Sequence, residues 1–510
     1  MNGIADWIDK RAFITPGRIA LIDEKRQLTY REMSAEINRY AHMLEVRYGL
    51  QPGERIGIWA TNSIEYLMLL FAIAKLGGIA VVLNVRLTPS ELEYQLNDSG
   101  SRLLIVETSF REEAESILAN TGVQQVLWFD QGESSCHQLS EQAAAYPNDL
   151  LKREGVAGET PFIICYTSGT TGKPKGAVLT QENMFWNAVN NVLALELTSF
   201  DKSLTLLPLF HIGGIGLFAL PTLFAGGTVI VPHRFDPVKT LQLIEEHRVT
   251  IVMGVPTIYD FIRKSPNFPT SNLDSIRWFY CGGAPCPHEL IQSYLDRGVP
   301  FAQGFGMTET SPTVFMTSRE DYGRKIGSIG KPVMFCDIRV VDERGEDVGP
   351  GEIGELWIKG GNVMQGYWNR PEATAESFHD GWLLTGDLVT QDEEGFVTII
   401  GRKKDMIISG GENIYPLEVE QVISQMPVVD EVAVVGVADA KWGEVPVAAI
   451  AVKTGHELHA DDVKLYCQKR LAKYKVPVRI DFVNELPKNA TGKIDKKTIK
   501  ADFMKEEQHG

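Results

Sequence analysis

Residues 166–176 read Tyr-Thr-Ser-Gly-Thr-Thr-Gly-Lys-Pro-Lys-Gly and follow directly on the apolar run 161–165. The segment contains three glycines, four Ser or Thr hydroxyls and two lysines. Glycines let backbone N–H groups approach a phosphate closely, hydroxyls donate hydrogen bonds and lysines supply positive charge. A Walker loop does not fit, because Gly169 and Gly172 are too close together and Lys173 is followed by a proline. The segment therefore predicts a phosphate-binding loop of a different kind.

On both sides of this loop, apolar strand-like runs alternate with helix-like segments. The predicted strands are 55–59, 79–83, 103–106, 125–129, 228–231 and 250–254, and the predicted helices are 63–76, 237–247 and 287–296. Alternation of this kind is typical of an α/β architecture with largely parallel sheets. The apolar run 66–85 is interrupted by Lys75, Gly77 and Gly78, which favours a buried helix and strand over a membrane span.

The pattern changes toward the C-terminus. Short strands between turn glycines predict a small antiparallel barrel or sandwich, at 337–341, 354–359 and 395–400. We predict an α/β protein whose large N-terminal domain, 1–401, holds two βαβ-type sheets and a small β-barrel over about 331–400. A small, mobile α+β domain, 402–510, is predicted to follow, with a hinge at 401–405.

Composition limits the function classes. The chain has 50 Lys and Arg against 66 Asp and Glu, a net charge of −16, so it lacks the general basic surface of a nucleic-acid-binding protein. Its six cysteines are irregularly spaced, which favours free thiols over a disulfide framework or a zinc site. No signal-peptide pattern opens the sequence, and the expectation is a cytoplasmic protein without an integral membrane span, as a monomer or homodimer.

The segment 166–176 resembles the signature of the acyl-adenylate-forming superfamily, which includes acyl-CoA synthetases, luciferases and peptide-synthetase adenylation domains. Further motifs similar to that family follow in order: QGFGMTET at 303–310, WLLTGD at 382–387, GR at 401–402, DMIISGGEN at 405–413 and PKNATGK at 487–493. The resemblance runs from about residue 7 to residue 497. It implies an ATP-dependent, AMP-forming acyl-CoA synthetase that uses Mg²⁺, forms an acyl-AMP and passes the acyl group to coenzyme A.

The resemblance also implies roles for individual residues around ATP. Binding of the ATP phosphates is assigned to Thr167, Ser168, Gly169, Thr170, Thr171, Gly172 and Lys175. The rest of the nucleotide is assigned to Gly283, Ala284, Gln303, Gly304, Phe305, Gly306, Thr308, Asp387, Ile399 and Arg402, with Asp387 on the ribose. Thr170 and Glu309 are implied to hold Mg²⁺, a cation that prefers oxygen ligands. Lys493 is implied to draw the acid carboxylate and the α-phosphate into attack geometry.

For the second half-reaction, the family rotates its C-terminal domain so that Lys493 leaves and the 409–413 face arrives, with Lys404 as the hinge residue. By similarity to aryl-CoA ligases, the coenzyme A site is assigned to Arg86, Ser409, Gly410, Gly411, Glu412, Trp442, Tyr474 and Lys475. Trp442 and Tyr474 offer stacking surfaces, whereas Arg86 and Lys475 offer charge. Gly410 and Gly411 are expected to admit the pantetheine arm by close backbone approach.

The acid is implied to bind a pocket whose gate is His211. The pocket is assigned to His211, Ile212, Gly213, Val255, Gly282, Gly304, Gly306, Pro312 and Met316. These positions are small or uncharged, and their glycines are expected to leave room for a chain or a ring. We predict a medium- or long-chain fatty acid, with an aromatic acid (a hydroxycinnamate, a benzoate or o-succinylbenzoate) as the alternative.

Two other functions stay open at this point. An adenylating enzyme could load a carrier protein in place of coenzyme A. A nucleotide-binding protein without catalysis is disfavoured, because a mere binder would not need Lys493.

Overall fold

A computed structural model describes residues 4–129, 138–167, 173–489 and 492–507. The α-helices of the described residues are α1 Ala5–Ile14, α2 Tyr30–Val46, α3 Ile64–Lys75, α4 Pro89–Ser99, α5 Arg111–Leu118, α6 Gln138–Ala143, α7 Gln181–Ala194, α8 Leu220–Ala225, α9 Pro237–His247, α10 Pro256–Lys264, α11 His288–Leu295, α12 Pro371–Glu376, α13 Pro416–Ser424, α14 Ala460–Gln468 and α15 Lys496–Glu507. A π-helix, Gly213–Ala219, precedes α8, and a 3₁₀ turn, Thr308–Thr310, interrupts the sheet region further on.

The strands alternate with these helices along most of the chain. They are β1 Ile19–Ile22, β2 Gln27–Thr29, β3 Arg55–Trp59, β4 Ile79–Val82, β5 Leu103–Glu107, β6 Gln125–Phe129, β7 Pro161–Thr167, β8 Lys175–Thr180, β9 Lys202–Thr205, β10 Thr228–Ile230, β11 Ile251–Gly254, β12 Trp278–Cys281, β13 Phe301–Gly306, β14 Thr313–Met316, β15 Lys331–Pro332, β16 Cys336–Val341, β17 Ile353–Gly360, β18 Gly366–Tyr367, β19 Phe378–His379, β20 Trp382–Gln391, β21 Val397–Arg402, β22 Ile407–Ser409, β23 Glu412–Ile414, β24 Val429–Asp439, β25 Gly443–Val452 and β26 Arg479–Val483.

Two large sheets lie in a first compact unit, Met1–Ile338 with Ile358–Leu383. One sheet has nine strands in the order β15-β14-β13-β12-β11-β9-β10-β1-β2, and the other has seven in the order β18-β8-β7-β4-β3-β5-β6. The central pairs of both sheets are parallel, such as β11 with β12 and β3 with β4. The predicted α/β architecture with two βαβ-type sheets is therefore confirmed.

The helix α3 forms the centre of the first unit's core. Its start is capped by Ser63, whose side chain accepts a hydrogen bond from the Tyr66 N–H, and Gly77 follows its end with φ +69°. Every apolar residue of α3 is buried, and Lys75 at its end is buried as well. The strand β4, which follows α3 in the chain, is buried throughout. Burial of one large apolar side chain contributes about 1.5–3 kcal/mol, so this element stabilises the unit strongly. The predicted buried helix and strand are confirmed.

A smaller sheet occupies the region in which short antiparallel strands were predicted. Its order is β16-β17-β20-β19, and β21 pairs with β20 in antiparallel register. The strand predicted at 395–400 begins two residues later, at Val397, because Gly395 adopts φ +87° in a turn closed by its N–H to the Asp392 carbonyl. Glycine takes this left-handed conformation without steric cost.

The second compact unit consists of Arg339–Trp357 and Leu384–Gly510. Its sheet has the order β23-β22-β25-β24, β26 lies parallel to β25, and α13 and α14 supply apolar residues to its core. The predicted small α+β fold at the C-terminus is confirmed, although the β22–β23 hairpin was missed. The predicted domain limits, 1–401 and 402–510, stay a prediction. Within the four described ranges, every helix is too short or too polar to cross a bilayer.

Candidate active site

The predicted phosphate loop connects two paired strands of the seven-stranded sheet. In the β7–β8 ladder, Tyr166 pairs with Gly176 and Thr167 pairs with Lys175, so the two ends of the loop are held side by side. The predicted phosphate ligands Ser168, Gly169, Thr170, Thr171 and Gly172 lie outside the described residues. Thr167 and Lys175 are described, and both are partly buried at the mouth of this hairpin.

Glu309 lies in the 3₁₀ turn after β13 and is 7% exposed. The Tyr367 hydroxyl donates a hydrogen bond to Glu309 Oε1 at 2.9 Å, and the backbone of Met364 donates to the Glu309 carbonyl at 2.8 Å. The Lys175 Nζ atom lies 5.3 Å from the centroid of the Tyr367 ring. The Tyr367 hydroxyl supplies a donor that the buried carboxylate needs, because an unpartnered buried charge is costly. The structure thus brings Glu309 and Lys175 to the same tyrosine.

Tyr367 was missed from the sequence. It belongs to β18, which has only two residues and pairs Tyr367 with Ala177 of β8. A strand of this length has no periodicity to detect, and its partner is remote in sequence. The aromatic residue in Gly366-Tyr367 was the one available signal.

A buried cysteine lies beside Glu309. Burial raises the pKa of the Cys165 thiol to about 12, and the negative charge of Glu309 adds to the increase. The thiolate is the reactive form of cysteine, so a thiol that stays protonated at neutral pH is a poor nucleophile. An activated acyl group near Glu309 would therefore not be captured by Cys165.

The predicted nucleotide wall follows β12 and β13. Gln303 accepts a hydrogen bond on its backbone carbonyl from the Thr317 hydroxyl at 2.9 Å. Its side-chain Oε1 is buried and has no hydrogen-bond partner among the described residues. A buried acceptor without a donor costs about 1–3 kcal/mol, so this atom is suited to a donor on a ligand. Thr308 begins the 3₁₀ turn that carries Glu309, while Gly283 and Ala284 are exposed at the end of β12.

The expectation that the pocket glycines leave room for substrate is wrong at two positions. A Cβ atom at Gly306 would lie 1.7 Å from the Pro312 carbonyl oxygen, and one at Gly304 would lie 2.8 Å from the Phe315 carbonyl oxygen. Glycine is needed at both positions because the neighbouring backbone of β14 and its turn approaches closely. At Gly283 the nearest atom would be the Val255 Cγ1 at 3.6 Å, which is an ordinary contact.

His211 lies on the turn before the π-helix and is half-buried. Its N–H donates to the Pro208 carbonyl at 3.1 Å, and the Phe210 ring centroid lies 4.8 Å from the His211 ring centroid. The Asn62 side chain fixes this turn from α3's start: its amide donates to the Leu207 carbonyl at 2.9 Å and its carbonyl accepts from the Leu209 N–H at 2.8 Å. Asn62 was not identified from the sequence, since its partners are about 145 positions away.

The remaining predicted acyl-pocket residues fall into the first unit. Buried positions are Ile212, Gly282, Pro312 and Met316, and partly buried positions are Gly213 and Val255. Asn187 and Asn191 donate to the carbonyl of Gly216 at 2.6 and 3.1 Å, which holds the π-helix behind His211. None of the predicted pocket residues carries a fixed charge.

Asp387 and Arg402 are brought together in the second unit. They face each other across the β20–β21 ladder, and the Arg402 Nε lies 2.6 Å from Asp387 Oδ1. The Asp387 side chain is 4% exposed, whereas that of Arg402 is 44% exposed. Arg402 also donates to the Thr385 carbonyl at 3.2 Å. The predicted Ile399 lies on the same strand, paired with Val389.

The predicted coenzyme A glycines form a tight hairpin. Ser409 pairs with Glu412 in the β22–β23 ladder, and the two residues between them, Gly410 and Gly411, have φ values of +61° and +90°. A Cβ at Gly410 would lie 2.8 Å from the Trp442 ring, so the indole packs closely against this glycine. Around a Cβ at Gly411, the described residues leave 4 Å of open space. Trp442 is 48% exposed, which suits a stacking surface.

The other coenzyme A candidates differ in their surroundings. The Lys475 Nζ lies 2.8 Å from both carboxylate oxygens of Glu418, so its charge is already balanced in this structure. Tyr474 is 40% exposed beside it, and Arg86 is exposed in the loop after β4. Lys404, the predicted hinge residue, is exposed in a 3₁₀ turn that follows β21.

Lys493 is exposed on the loop before α15. Its backbone is held on both sides: its N–H donates to Asn489 Oδ1 at 3.1 Å and its carbonyl accepts from the Asn489 N–H at 2.8 Å. Residues 490 and 491 of the same loop lie outside the described ranges. The Lys493 side chain therefore starts from an anchored backbone on an exposed loop.

Comparison with known proteins gives two matching family models. One, described as AMP-binding enzyme, matches residues 8–368, and the other, described as AMP-binding enzyme C-terminal domain, matches residues 418–493. Together they cover both the phosphate loop and the Lys493 loop.

Individual relatives match over nearly the full length. A feruloyl-CoA synthase of Amycolatopsis sp is 42% identical over 98% of this chain and 99% of its own. An indoleacetate–CoA ligase of Aromatoleum aromaticum is 39% identical (98% and 97%), and a long-chain-fatty-acid–CoA ligase of Mycobacterium tuberculosis is 37% identical (99% and 99%). Among solved structures, the o-succinylbenzoate CoA synthetase of Bacillus subtilis with its acyl-adenylate intermediate superposes with a TM-score of 0.87, at 37% identity and 97% coverage of both chains.

Proposed function

We propose, from the premise that this chain belongs to the AMP-binding enzyme family and is an AMP-forming acyl-CoA ligase, that the acid it activates is aromatic. The observation that carries the proposal is the 42% identity to a feruloyl-CoA synthase over 98% of the chain. Identity to the long-chain-fatty-acid ligase is lower, at 37%. The aromatic alternative predicted from the sequence therefore fits the relatives better than the fatty acid that was predicted first.

The reaction consists of two displacements. A carboxylate oxygen of the acid attacks the α-phosphorus of ATP, and the bond to pyrophosphate breaks to leave an acyl-AMP. The sulfur of coenzyme A then attacks the acyl carbon, and the bond to AMP breaks while the thiol proton passes to solvent. ATP and coenzyme A are both substrates of this enzyme class. The first step brings two anions together, so cations and oriented donors must offset their repulsion.

In the first unit, Glu309 and Lys175 are proposed to meet this demand at the phosphates. Mg²⁺, when bound, would neutralise phosphate charge, and the buried Glu309 carboxylate fits it as a hard oxygen ligand. Tyr367 donates to one Glu309 oxygen and so orients the carboxylate. Thr170 is proposed as the second oxygen ligand. The unpartnered Gln303 Oε1 is proposed to accept a hydrogen bond from the adenine amino group.

In the second unit, the Asp387 carboxylate is proposed to bind the ribose hydroxyls. Its ion pair with Arg402 keeps it charged and oriented, which suits a group that accepts two hydrogen bonds. Lys493 is proposed to stabilise the charge that develops as the acid carboxylate attacks. A flexible, exposed lysine can reach such a position as a compact charge. Gly410, Gly411 and Trp442 are proposed to receive coenzyme A.

The acid pocket is proposed to hold a ring against apolar side chains. His211 and Phe210 lie at one end, and the backbone closeness at Gly304 and Gly306 narrows the space that these glycines were expected to open. An uncharged wall favours an apolar acid, and the choice of a ring over an unbranched chain is supported by the relatives. The expected preference of an aromatic over an aliphatic acid is about 10–200-fold, since pocket contacts of this kind are worth about 1–3 kcal/mol.

Pyrophosphate release with Mg-ATP tests the proposal over a panel of acids, with and without coenzyme A. The panel holds ferulate, coumarate, benzoate, indoleacetate, o-succinylbenzoate, octanoate and palmitate. We expect kcat/KM for one of the aromatic acids to exceed that for both fatty acids at least tenfold, with turnover that depends on coenzyme A. Higher kcat/KM for octanoate or palmitate would restore the fatty-acid prediction. Turnover that ignores coenzyme A would instead point to a carrier protein as the acceptor.

A further inference from the structure

The two flanks of the phosphate loop are tied to one helix that no predicted role includes. On the first flank, the Tyr166 hydroxyl donates to Asp98 Oδ2 at 2.8 Å. On the second flank, the Tyr94 hydroxyl donates to the Pro174 carbonyl at 3.2 Å. Tyr94 and Asp98 are one turn apart on α4, so they lie on the same face of that helix. The helix therefore contacts the chain both before and after residues 168–172.

Arg370 joins these two contacts into one cluster. Its guanidinium forms an ion pair with Asp98 Oδ1 and donates to the Tyr94 hydroxyl at 3.3 Å. The Asp98 side chain is only 9% exposed, so its charge needs this pairing. Lys173, on the second flank, lies with Nζ 5.7 Å from the centroid of the Tyr94 ring. We call Tyr94, Asp98, Tyr166 and Arg370 the α4 clasp.

The protonation states of the clasp are compatible with these bonds. Burial raises the pKa of the Tyr166 phenol well above its usual range, and the neighbouring Asp98 carboxylate raises it further. The Tyr94 and Asp98 contacts raise the pKa of the Arg370 guanidinium. The phenol therefore remains a donor and the guanidinium a cation throughout the neutral range.

We propose that Asp98 is a positioning residue for ATP. It sets the distance between the two flanks of the phosphate loop, Tyr166 on one side and Pro174 on the other. It touches neither substrate nor reacting atoms in this assignment, and it acts through Tyr166 and, by way of Arg370 and Tyr94, through Pro174. The inference rests on the proposed function, which assigns the loop to the ATP phosphates. We therefore expect weakening of the α4 clasp to impair ATP binding and adenylation. Binding of the acid and formation of the thioester from acyl-AMP should be unchanged.

The energetic reason is pre-organisation. Fixing a backbone in one conformation costs entropy, and contacts that hold the flanks before ATP arrives reduce the part of this cost that falls on binding. A shift of about 1 Å in a group that positions a substrate can lower a rate as much as 10²-fold. The antiparallel ladder fixes the flanks along the strand direction, and the clasp adds contacts from a separate helix.

The test compares Asp98→Ala, Asp98→Asn and Tyr166→Phe with Glu93→Gln, a control on the same helix outside the clasp. We expect Asp98→Ala to raise KM for ATP about tenfold, with KM for the acid and thioester formation from supplied acyl-AMP within twofold of the parent. Asp98→Asn should have a smaller effect, because its amide oxygen still accepts from Tyr166. The double variant D98A/Y166F should resemble Asp98→Ala alone, since Asp98→Ala already removes the Tyr166–Asp98 hydrogen bond.

Thermal unfolding of each variant separates loss of folding from loss of positioning, and Asp98→Asn and Tyr166→Phe retain the shape of the site if Asp98→Ala does not fold. Equal losses in ATP, acid and thioester measurements across these variants would overturn the inference. Lys175→Ala separates the role of the loop in binding ATP from the positioning role of Asp98. If Lys175→Ala raises KM for ATP and the Asp98 variants do not, the positioning role alone fails. If Lys175→Ala leaves KM for ATP unchanged, the loop assignment fails and the positioning role fails with it.

Discussion

Glu309 and Lys493 are the two charged residues with the largest proposed roles in adenylation, and their surroundings are opposite. Glu309, in the first unit, is 7% exposed and receives the Tyr367 hydroxyl. Lys493, in the second unit, is exposed, and the hydrogen bonds that fix its position involve its backbone and Asn489. One unit thus holds its charge in a buried site, whereas the other carries its charge on an exposed loop.

The difference shows two ways of placing a charge for phosphoryl chemistry. A buried carboxylate is pre-organised, because its partners keep it oriented before ligand arrives and little reorganisation is needed. An exposed lysine pays no desolvation cost at rest, and its long side chain can approach and leave a reacting centre. The second arrangement is compatible with a role in only one of two half-reactions.

Removal of the Lys493 side chain should give the largest difference between the two half-reactions. We expect Lys493→Ala to lower the rate of pyrophosphate release by about 10²–10³-fold, since it deletes a group that stabilises developing charge. Thioester formation from supplied acyl-AMP should stay within twofold. The matched control is Lys497→Ala, an equally exposed lysine four residues further on. Equal loss of both half-reactions would contradict a role for Lys493 in adenylation alone.

Neutralisation of Glu309 should have the next largest effect. Glu309→Gln keeps the shape but removes the charge, and we expect adenylation to fall about 10²-fold with a higher Mg²⁺ concentration for half-maximal rate. Tyr367→Phe, which removes one hydrogen bond, should cost about 2–10-fold. Titration of initial rates with Mg²⁺ measures both variants. A Glu309→Gln enzyme with an unchanged Mg²⁺ requirement would argue against a metal-binding role.

A substitution at Gly411, in the β22–β23 hairpin, tests whether this exposed part of the second unit admits coenzyme A. We expect Gly411→Val to lower thioester formation about tenfold while single-turnover pyrophosphate release is retained, because a side chain would fill the space reserved for the pantetheine arm. Gly455→Val is the control: Gly455 has φ +82°, close to the +90° of Gly411, and open space for a Cβ. Similar loss of thioester formation in both variants would mean that backbone strain, and not access, explains the effect.

Trp442 should show the smallest effect. Trp442→Ala removes an exposed ring that packs on Gly410, and we expect KM for coenzyme A to rise about 2–10-fold, the equivalent of one aromatic contact. Trp442→Phe retains a stacking face and should recover most of the loss. Initial rates at varied coenzyme A decide the result, and an unchanged KM in Trp442→Ala would remove this residue from the coenzyme A site.

Much of the framework could be predicted from sequence because its signals are local. Strand and helix periodicity located α3, β4 and β5 to within one residue at most ends, and the glycine-rich segment located the β7–β8 turn. The pair Asp387 and Arg402 could be named from motifs, and the β20–β21 ladder brings them to 2.6 Å. Local pattern suffices when the elements concerned are long or adjacent.

What could not be predicted depends on contacts between distant segments. Tyr367 approaches Glu309 through a two-residue strand, and Asn62 holds the His211 turn across about 145 positions. Gly304 looked like an opening in the pocket, but it is glycine because the Phe315 carbonyl lies against it. Lys475 looked like a ligand for phosphate, but Glu418 pairs with it in this structure. In each case the deciding atom belongs to another element.

The order of the nine-stranded sheet has a consequence for how the protein is made. Strand β1 pairs Leu21 with Val229 of β10, which is synthesised about 200 residues later. At about 5–20 residues per second, the apolar β1 waits roughly 10–40 s before its parallel partner exists. Until then its only sheet neighbour is the short β2, which leaves an apolar edge open to other chains. The newborn chain therefore most needs chaperone protection between the synthesis of β1 and that of β10, an interval in which residues 166–176 of the proposed active site also emerge.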